Sequence, residues 1–110
     1  MSVYNDATTL ALDIYRATKS FPKEELFGLI GQLRRASVSI SLNIAEGSSR
    51  SKKDFSHFLD MSRGSCYELI PLLDISSKLG YLKKNQHDEF YERIDTLAKR
   101  IGALKKSVNR

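Results

Sequence analysis

Only one cysteine, two prolines and two histidines occur in the 110 residues, and each scarcity closes off a class of explanation. A single thiol can form neither an intramolecular disulfide nor a CxxC metal site. Cys66 is therefore read as an inert core position, since a free cysteine packs as a small hydrophobe. His57 and His87 form no HxxxH or HExxH pair, so neither a metal nor another cofactor is expected. No serine stands in a GxSxG elbow, and no carboxylate is spaced to orient a histidine toward a nucleophile. Glu46 and Glu68, the one conceivable carboxylate pair, would sit several turns apart on neighbouring helices, so the chain is read as a non-enzyme. There is no long apolar run, and the opening MSVYNDATTL has no basic region leading into one. Neither a membrane span nor a secretory signal is expected, and the location expected is cytoplasmic.

Hydrophobic residues make up 41% and charged residues 28%, which suits a globular chain and argues against disorder. The length suits a single domain over 1–110 with one shared core. A formal charge of +5 makes a polyanionic partner plausible, and the position of that charge matters more than its size.

The prolines stand at 22 and 71, and turn-forming residues cluster at 20–23, 47–51 and 80–85. These cut the chain into four segments of helical length, approximately 3–19, 23–46, 51–79 and 85–108, joined by the short loops of antiparallel neighbours. Val3, Ala7, Leu10, Ile14, Ala17 and Phe21 alternate spacings of four and three, as do Phe90, Ile94, Leu97, Ile101, Leu104 and Val108. Both segments read as one-faced amphipathic helices. In the third segment Phe55, Leu59, Ser62, Cys66, Leu69 and Leu73 keep the rhythm, with small residues in mid-stripe where another backbone can come close.

The second segment contains RRASVSISLNIAEGSSR, in which serine alternates with apolar residues as it would in a strand. That alternation covers only 37–41, whereas Leu26, Ile30, Leu33, Ser37, Ile40 and Ile44 keep the helical spacing throughout, so the segment reads as a helix. Val38, Leu42 and Ala45 fall outside its main stripe, which suggests a helix packed between neighbours. Ser51 with Asp54 resembles a capping box, Pro22 suits a first helical turn, Gly80 a helix stop, and Asn85 a cap for the last helix. Pro71 predicts a bend near 67–71. The stripes together predict an all-α, antiparallel, up-down-up-down, left-handed four-helix bundle.

The run QLRRASVSISLNIAEGSSR, then FLDMSRGSCYEL, then LGYL, is similar to the pattern of proteins encoded in intervening sequences of bacterial 23S ribosomal RNA genes. The likeness spans 32–82, and the flanking helices share only its apolar rhythm. It implies a four-helix protomer assembled into a ring-like homopentamer. A related accessory protein of diversity-generating retroelements is similar in fold, and contact with nucleic acid and a reverse transcriptase is an activity of that relative. Gly28, Gly31 and Pro71 bear on the straightness of helices two and three.

At 100° per residue, Gln32, Arg35, Ser39, Asn43, Glu46 and Arg50 form a narrow polar line on helix two. Arg35, Asn43 and Glu46, with Arg63 level on helix three, are read as a structural or interface line, with Asp60 or Glu68 as a partner for Arg35. In an up-down bundle the 47–51 loop lies at the same end as both termini. That end should collect Arg50, Lys52, Lys53, Lys99, Arg100, Lys105, Lys106 and Arg110, opposed mainly by Asp6, Glu46 and Asp54, and no acidic residue follows Ala98. The segment GSSRSKK adds three hydroxyls and three cations around a helix start, where backbone N–H groups favour an anion. Tyr4, Tyr15, Tyr67, Tyr81 and Tyr91 lie on or beside apolar stripes and are read as packing. The expectation is a homo-oligomer that binds structured RNA or DNA through its basic end; the alternative is a protein-interaction scaffold, for example for a reverse transcriptase, without direct nucleic-acid contact.

Overall fold

The computed structural model describes all residues, Met1–Arg110. Four helices, α1 (Ser2–Thr18), α2 (Gly31–Ser48), α3 (Lys52–Lys78) and α4 (Lys84–Val108), form an all-α bundle about 45 Å long. Side-chain pairs fix its topology. Thr18 meets Arg34, Arg35 meets Glu68, Asp60 meets Lys105, and Asp6 meets Arg100, so each helix runs antiparallel to the next and α4 returns beside α1. No helix is long and apolar enough to cross a membrane.

The core follows the sequence rhythm. Leu10, Ile14, Leu33, Ile40, Ile44, Leu59, Leu69, Leu73, Ile94 and Ile101 are fully buried in one cluster. Burying each such side chain contributes roughly 1.5–3 kcal/mol. Cys66 lies in the same cluster, where burial pushes its thiol up to about 12, so almost no thiolate exists at neutral pH. Small residues between α2 and α3 let the backbones approach. Ser62 Oγ donates to the Ile40 carbonyl oxygen at 2.8 Å, and Ser65 Oγ to Ser39 Oγ at 2.9 Å. Buried hydroxyls that reach acceptors across the interface add directionality that apolar contact lacks.

The second segment departs from the expected continuous helix over 23–46, and does so at Gly28, one of the residues that bear on its straightness. Its start is a 3-10 turn (Lys23–Glu25) and a π-type turn (Leu26–Ile30), interrupted where Gly28 leaves helical geometry at φ −104, ψ −114. Glycine tolerates this backbone, and the Glu25 carboxylate accepts the freed Leu29 N–H at 3.4 Å. The consequence is that Leu26, assigned to the core stripe, is exposed, and Phe27 is 94% exposed. At Pro71, where a bend or a break is expected, the helix does not break: α3 runs continuously past it. Tyr67 and Pro71 both lie on the exposed face, so the carbonyl deprived of its usual donor is on the side where water can supply one.

Helix ends are closed by local chemistry. Ser51 accepts the Asp54 N–H at 3.2 Å at the start of α3. At its other end Gly80, at φ +80, lets Tyr81 N–H reach the Ser76 carbonyl and Gly80 N–H that of Ser77, a Schellman closure. Asn85 does not cap α4. The helix starts one residue earlier, at Lys84, and Gln86 accepts the Lys83 N–H at 2.9 Å.

The α3–α4 hairpin carries a titratable clamp. His87 Nε2 lies 2.7 Å from Asp74 and Nδ1 3.0 Å from Asp88, which is shared with Lys84, and its ring stacks on Tyr91. Hydrogen bonding to Asp88 and then Asp74 raises the His87 pKa above its ordinary 6.5, while His87 and Lys84 lower that of Asp88 below 3.8. A raised histidine contributes stability below its unfolded value and loses it as pH rises through the folded one. A lowered carboxylate contributes above its unfolded value and loses it as pH falls. The clamp is therefore fully engaged between about pH 4 and 6.5. The thermal midpoint is expected to fall between pH 6 and 8 in the native chain and to change less in His87→Gln, as read by circular dichroism melts across that range.

Candidate nucleic-acid interface

The bundle brings the start of α3 and the end of α4 to one end. Asn109 Nδ2 donates to Ser56 Oγ at 3.3 Å, and Lys105 Nζ reaches both oxygens of Asp60 at 2.8 Å. Residues flanking these contacts, Lys52 and Lys53 on α3, Lys106 on α4 and Arg110 just past its end, are exposed and have no carboxylate partner within salt-bridge distance.

The remaining cations assigned to this patch are partly compensated. Arg50 pairs with Glu46 at 2.6 Å and lies over the Phe58 ring at 5.3 Å. Lys99 pairs with Asp95 at 2.9 Å, which holds its ammonium above the ordinary range. Arg100 bonds Asp6 and reaches Ser2 Oγ at 2.7 Å, which turns it toward α1 and away from the α3 start. Exposed pairs of this kind exchange readily with other anions, but each carries a smaller net field than a free cation. Asp60 and Asp95 are the counter-charges that reading along the chain missed. Asp60 lies on another helix, so only the bundle register identifies it, whereas Asp95 stands four residues before Lys99 on α4 and follows from helical spacing.

The hydroxyls of GSSRSKK face inward to their own backbone. Ser48 Oγ donates to the Ala45 carbonyl at 2.9 Å, Ser49 Oγ to that of Glu46 at 3.1 Å, and Ser51 is the helix cap. A serine whose proton is committed to a carbonyl presents lone pairs outward, which disfavours an anion. The attraction of this end therefore rests on Lys52, Lys53, Lys106 and Arg110 together with the α3 dipole.

The polar line divides. Arg35 pairs with Glu68, Asn43 donates to the Ser39 carbonyl at 2.8 Å, and Glu46 turns to Arg50, all along the outer side of α2. Arg63 is not part of it. Its guanidinium faces the α4 side, within 3.5 Å of where a side chain on Gly102 would begin, and it donates to the Tyr67 hydroxyl at 3.2 Å. Leu42 is 62% exposed beside this line, so α2 is open on its outer side and does not lie enclosed between neighbours within the protomer.

Two features had no clear signal in the chain. Arg34 lies over the Tyr15 ring at 4.6 Å and donates to Thr18 Oγ1 and the Tyr15 carbonyl, pinning the end of α1 to α2. Tyr4, Tyr15, Tyr67 and Tyr91 are exposed, and only Tyr81 is half-buried, against Phe21. The assignment of the tyrosines to packing therefore holds fully for Tyr81 and in part for Tyr15 and Tyr91, which carry Arg34 and His87 on their rings. A tyrosine beside an apolar stripe can point to either side of it, and periodicity does not say which. No group of three His, Cys, Asp or Glu side chains is arranged to hold a metal ion.

The family described as 23S rRNA-intervening sequence protein matches residues 1–103. Among solved structures the chain is similar to a protein with unknown function from the S23 ribosomal protein family of Bacteroides thetaiotaomicron, at 21% identity and a TM-score of 0.87, with 96% of each chain covered. At that identity the likeness shows the fold. No curated protein matches the chain. Nothing in the description of the family or of the solved structure points to catalysis.

Proposed function

The chain belongs to the 23S rRNA-intervening sequence protein family, and from that premise we propose that it is a non-enzymatic, homo-oligomeric bundle that binds structured RNA or DNA through its basic end. The observation that carries this reading is the meeting of Lys52 and Lys53 at the start of α3 with Lys106 and Arg110 at the C-terminal end of the chain, all without carboxylate partners, where Asn109 contacts Ser56. Cations so spaced contact phosphates without reading bases, which gives salt-dependent and weakly sequence-specific affinity.

Assembly is supported by the outer face of α2 and α3, where Leu42 and Met61 are exposed beside the Arg35–Glu68 pair. Apolar side chains framed by polar pairs suit a contact between copies. A ring, with five copies as the family resemblance implies, would repeat the basic end around its axis and raise avidity without any new contact.

The alternative is a scaffold that docks a protein. Phe27, almost wholly exposed on the π-type turn, is the observation in its favour. The two separate in one experiment. After gentle purification, light scattering should give a mass that is a multiple of 12.5 kDa, and the absorbance ratio at 260 and 280 nm should be raised by bound nucleic acid that high salt removes. A monomer free of nucleic acid that captures a protein through Phe27 regardless of salt would overturn the proposal in favour of the scaffold.

A further inference from the structure

Between α3 and α4, away from the free lysines, lies a groove of about 300 Å³ lined by Tyr67, Pro71, Tyr91, Ile94, Asp95 and Ala98. Its size is at the small end of ligand-holding clefts, roughly 300–1,000 Å³, which suits one flat aromatic group better than a peptide helix. Tyr67 comes from α3 and Tyr91 from α4, and they are 56% and 46% exposed. His87 stacks on part of Tyr91 and Arg63 lies toward Tyr67, and the rest of each ring is open to a further partner.

The next level along the same seam is Arg63 with Gly102, one turn from Tyr67 and Ala98. Arg63 is half-buried, its Nε is fully buried with no acceptor in the protein, and no carboxylate pairs with it. Its polar contact is the Tyr67 hydroxyl, and its guanidinium lies 5.9 Å from that ring. A partly desolvated cation without a counter-charge is unfavourable alone and favourable beside an anion. Asp95, the one carboxylate in the lining, is held by Lys99 at 2.9 Å and can still accept from an amino group.

We infer that this groove takes the base of an unpaired nucleotide, stacked on Tyr67 and Tyr91, with the adjoining phosphate toward Arg63. The inference rests on the nucleic-acid reading above and adds to it a second contact that the basic end does not provide. Lysines at that end follow a backbone of any form, whereas two tyrosines in a narrow groove require a base that is out of its helix. Stacking of this kind tolerates many sequences, because every base has a π face. Asp95 favours bases whose edge carries an amino group, adenine and cytosine over uracil.

The test compares binding of a short single-stranded oligoadenylate and of a fully paired RNA duplex to the native chain, Tyr67→Ala, Tyr91→Ala and the two Tyr→Phe variants. Both tyrosines are exposed, so these variants keep the core. The expected result is a loss of about tenfold for oligoadenylate with either alanine, near-native binding with phenylalanine, and unchanged duplex binding. If oligoadenylate binds equally to all variants, or only the duplex binds, the groove assignment is overturned while the basic-end reading stands. If neither nucleic acid binds, both fall. A drop in assembly mass in Tyr67→Ala or Tyr91→Ala, with oligoadenylate binding intact, would make the groove a contact between copies and overturn the inference.

Discussion

Changing Lys52, Lys53 and Lys106 together to glutamate is expected to weaken binding of a structured RNA by on the order of a hundredfold near physiological salt, and to make the residual binding much less salt-dependent. The effect is electrostatic and local. These lysines have no carboxylate partner, so their charge is available to a phosphate, and reversing it adds repulsion to the lost attraction. Each lost phosphate contact should remove roughly 0.7–0.9 from the slope of log affinity against log salt. Because all three side chains are exposed, melting temperature and assembly mass should stay close to native. Reversing Lys99 is expected to do much less, since Asp95 already compensates it and the change mainly breaks an exposed pair. The comparison is made by fluorescence titration of a labelled RNA hairpin, with the mass of each variant checked by light scattering.

The second large effect concerns how the basic end is built. Gly47 is buried at the end of α2, and a Cβ placed there would lie 2.6 Å from Phe58 Cβ and 3.0 Å from Phe55 Cδ1. The first of these is the stem of a side chain on α3, so relief requires the helices to move apart. Gly47→Val should lose about 3 kcal/mol, the upper part of the range for overpacking, despite the better helix propensity of a side chain over glycine. Gly64, on the open side of α3, provides the contrast: a Cβ there meets nothing within 4 Å. Gly64→Ala should raise stability by about 0.4–1 kcal/mol. Urea denaturation of both variants measures the two effects, which have opposite sign although each removes a helical glycine.

From the sequence Gly47 reads as the start of the 47–51 turn and Gly64 as one more helical position, and neither reading tells which of the two faces a neighbouring helix. The apolar stripes at spacings of four and three name most of the core, from Leu10 and Ile14 to Ile94 and Ile101, because burial on one face of a helix must repeat with its turn. The stripe rule misplaces Leu26 because it assumes an unbroken helix through Gly28, and nothing in spacing signals the change of backbone there. Charges behave similarly. The gathering of cations at one end follows from chain order in an up-down bundle. Which of them are neutralised depends on register between helices: Lys105 finds Asp60 and Arg100 finds Asp6, from distant parts of the chain. The serines of GSSRSKK were legible as hydroxyls near an anion-favouring helix start, and their bonds back to the α2 backbone were not. Arg63 illustrates the remaining gap. Antiparallel register about residue 49 places it level with Arg35, yet Arg35 meets Glu68 and the Arg63 side chain passes to the α4 side, where the small Gly102 leaves room.

The most direct test of the central claim is the affinity of the native assembly for a structured RNA hairpin, measured over a series of potassium chloride concentrations. Contacts from Lys52, Lys53, Lys106 and Arg110 predict an affinity that falls steeply with salt, with a log–log slope of roughly −2.8 to −3.6 for each protomer that engages the RNA. A slope near zero, or no binding even at low salt, would contradict the account.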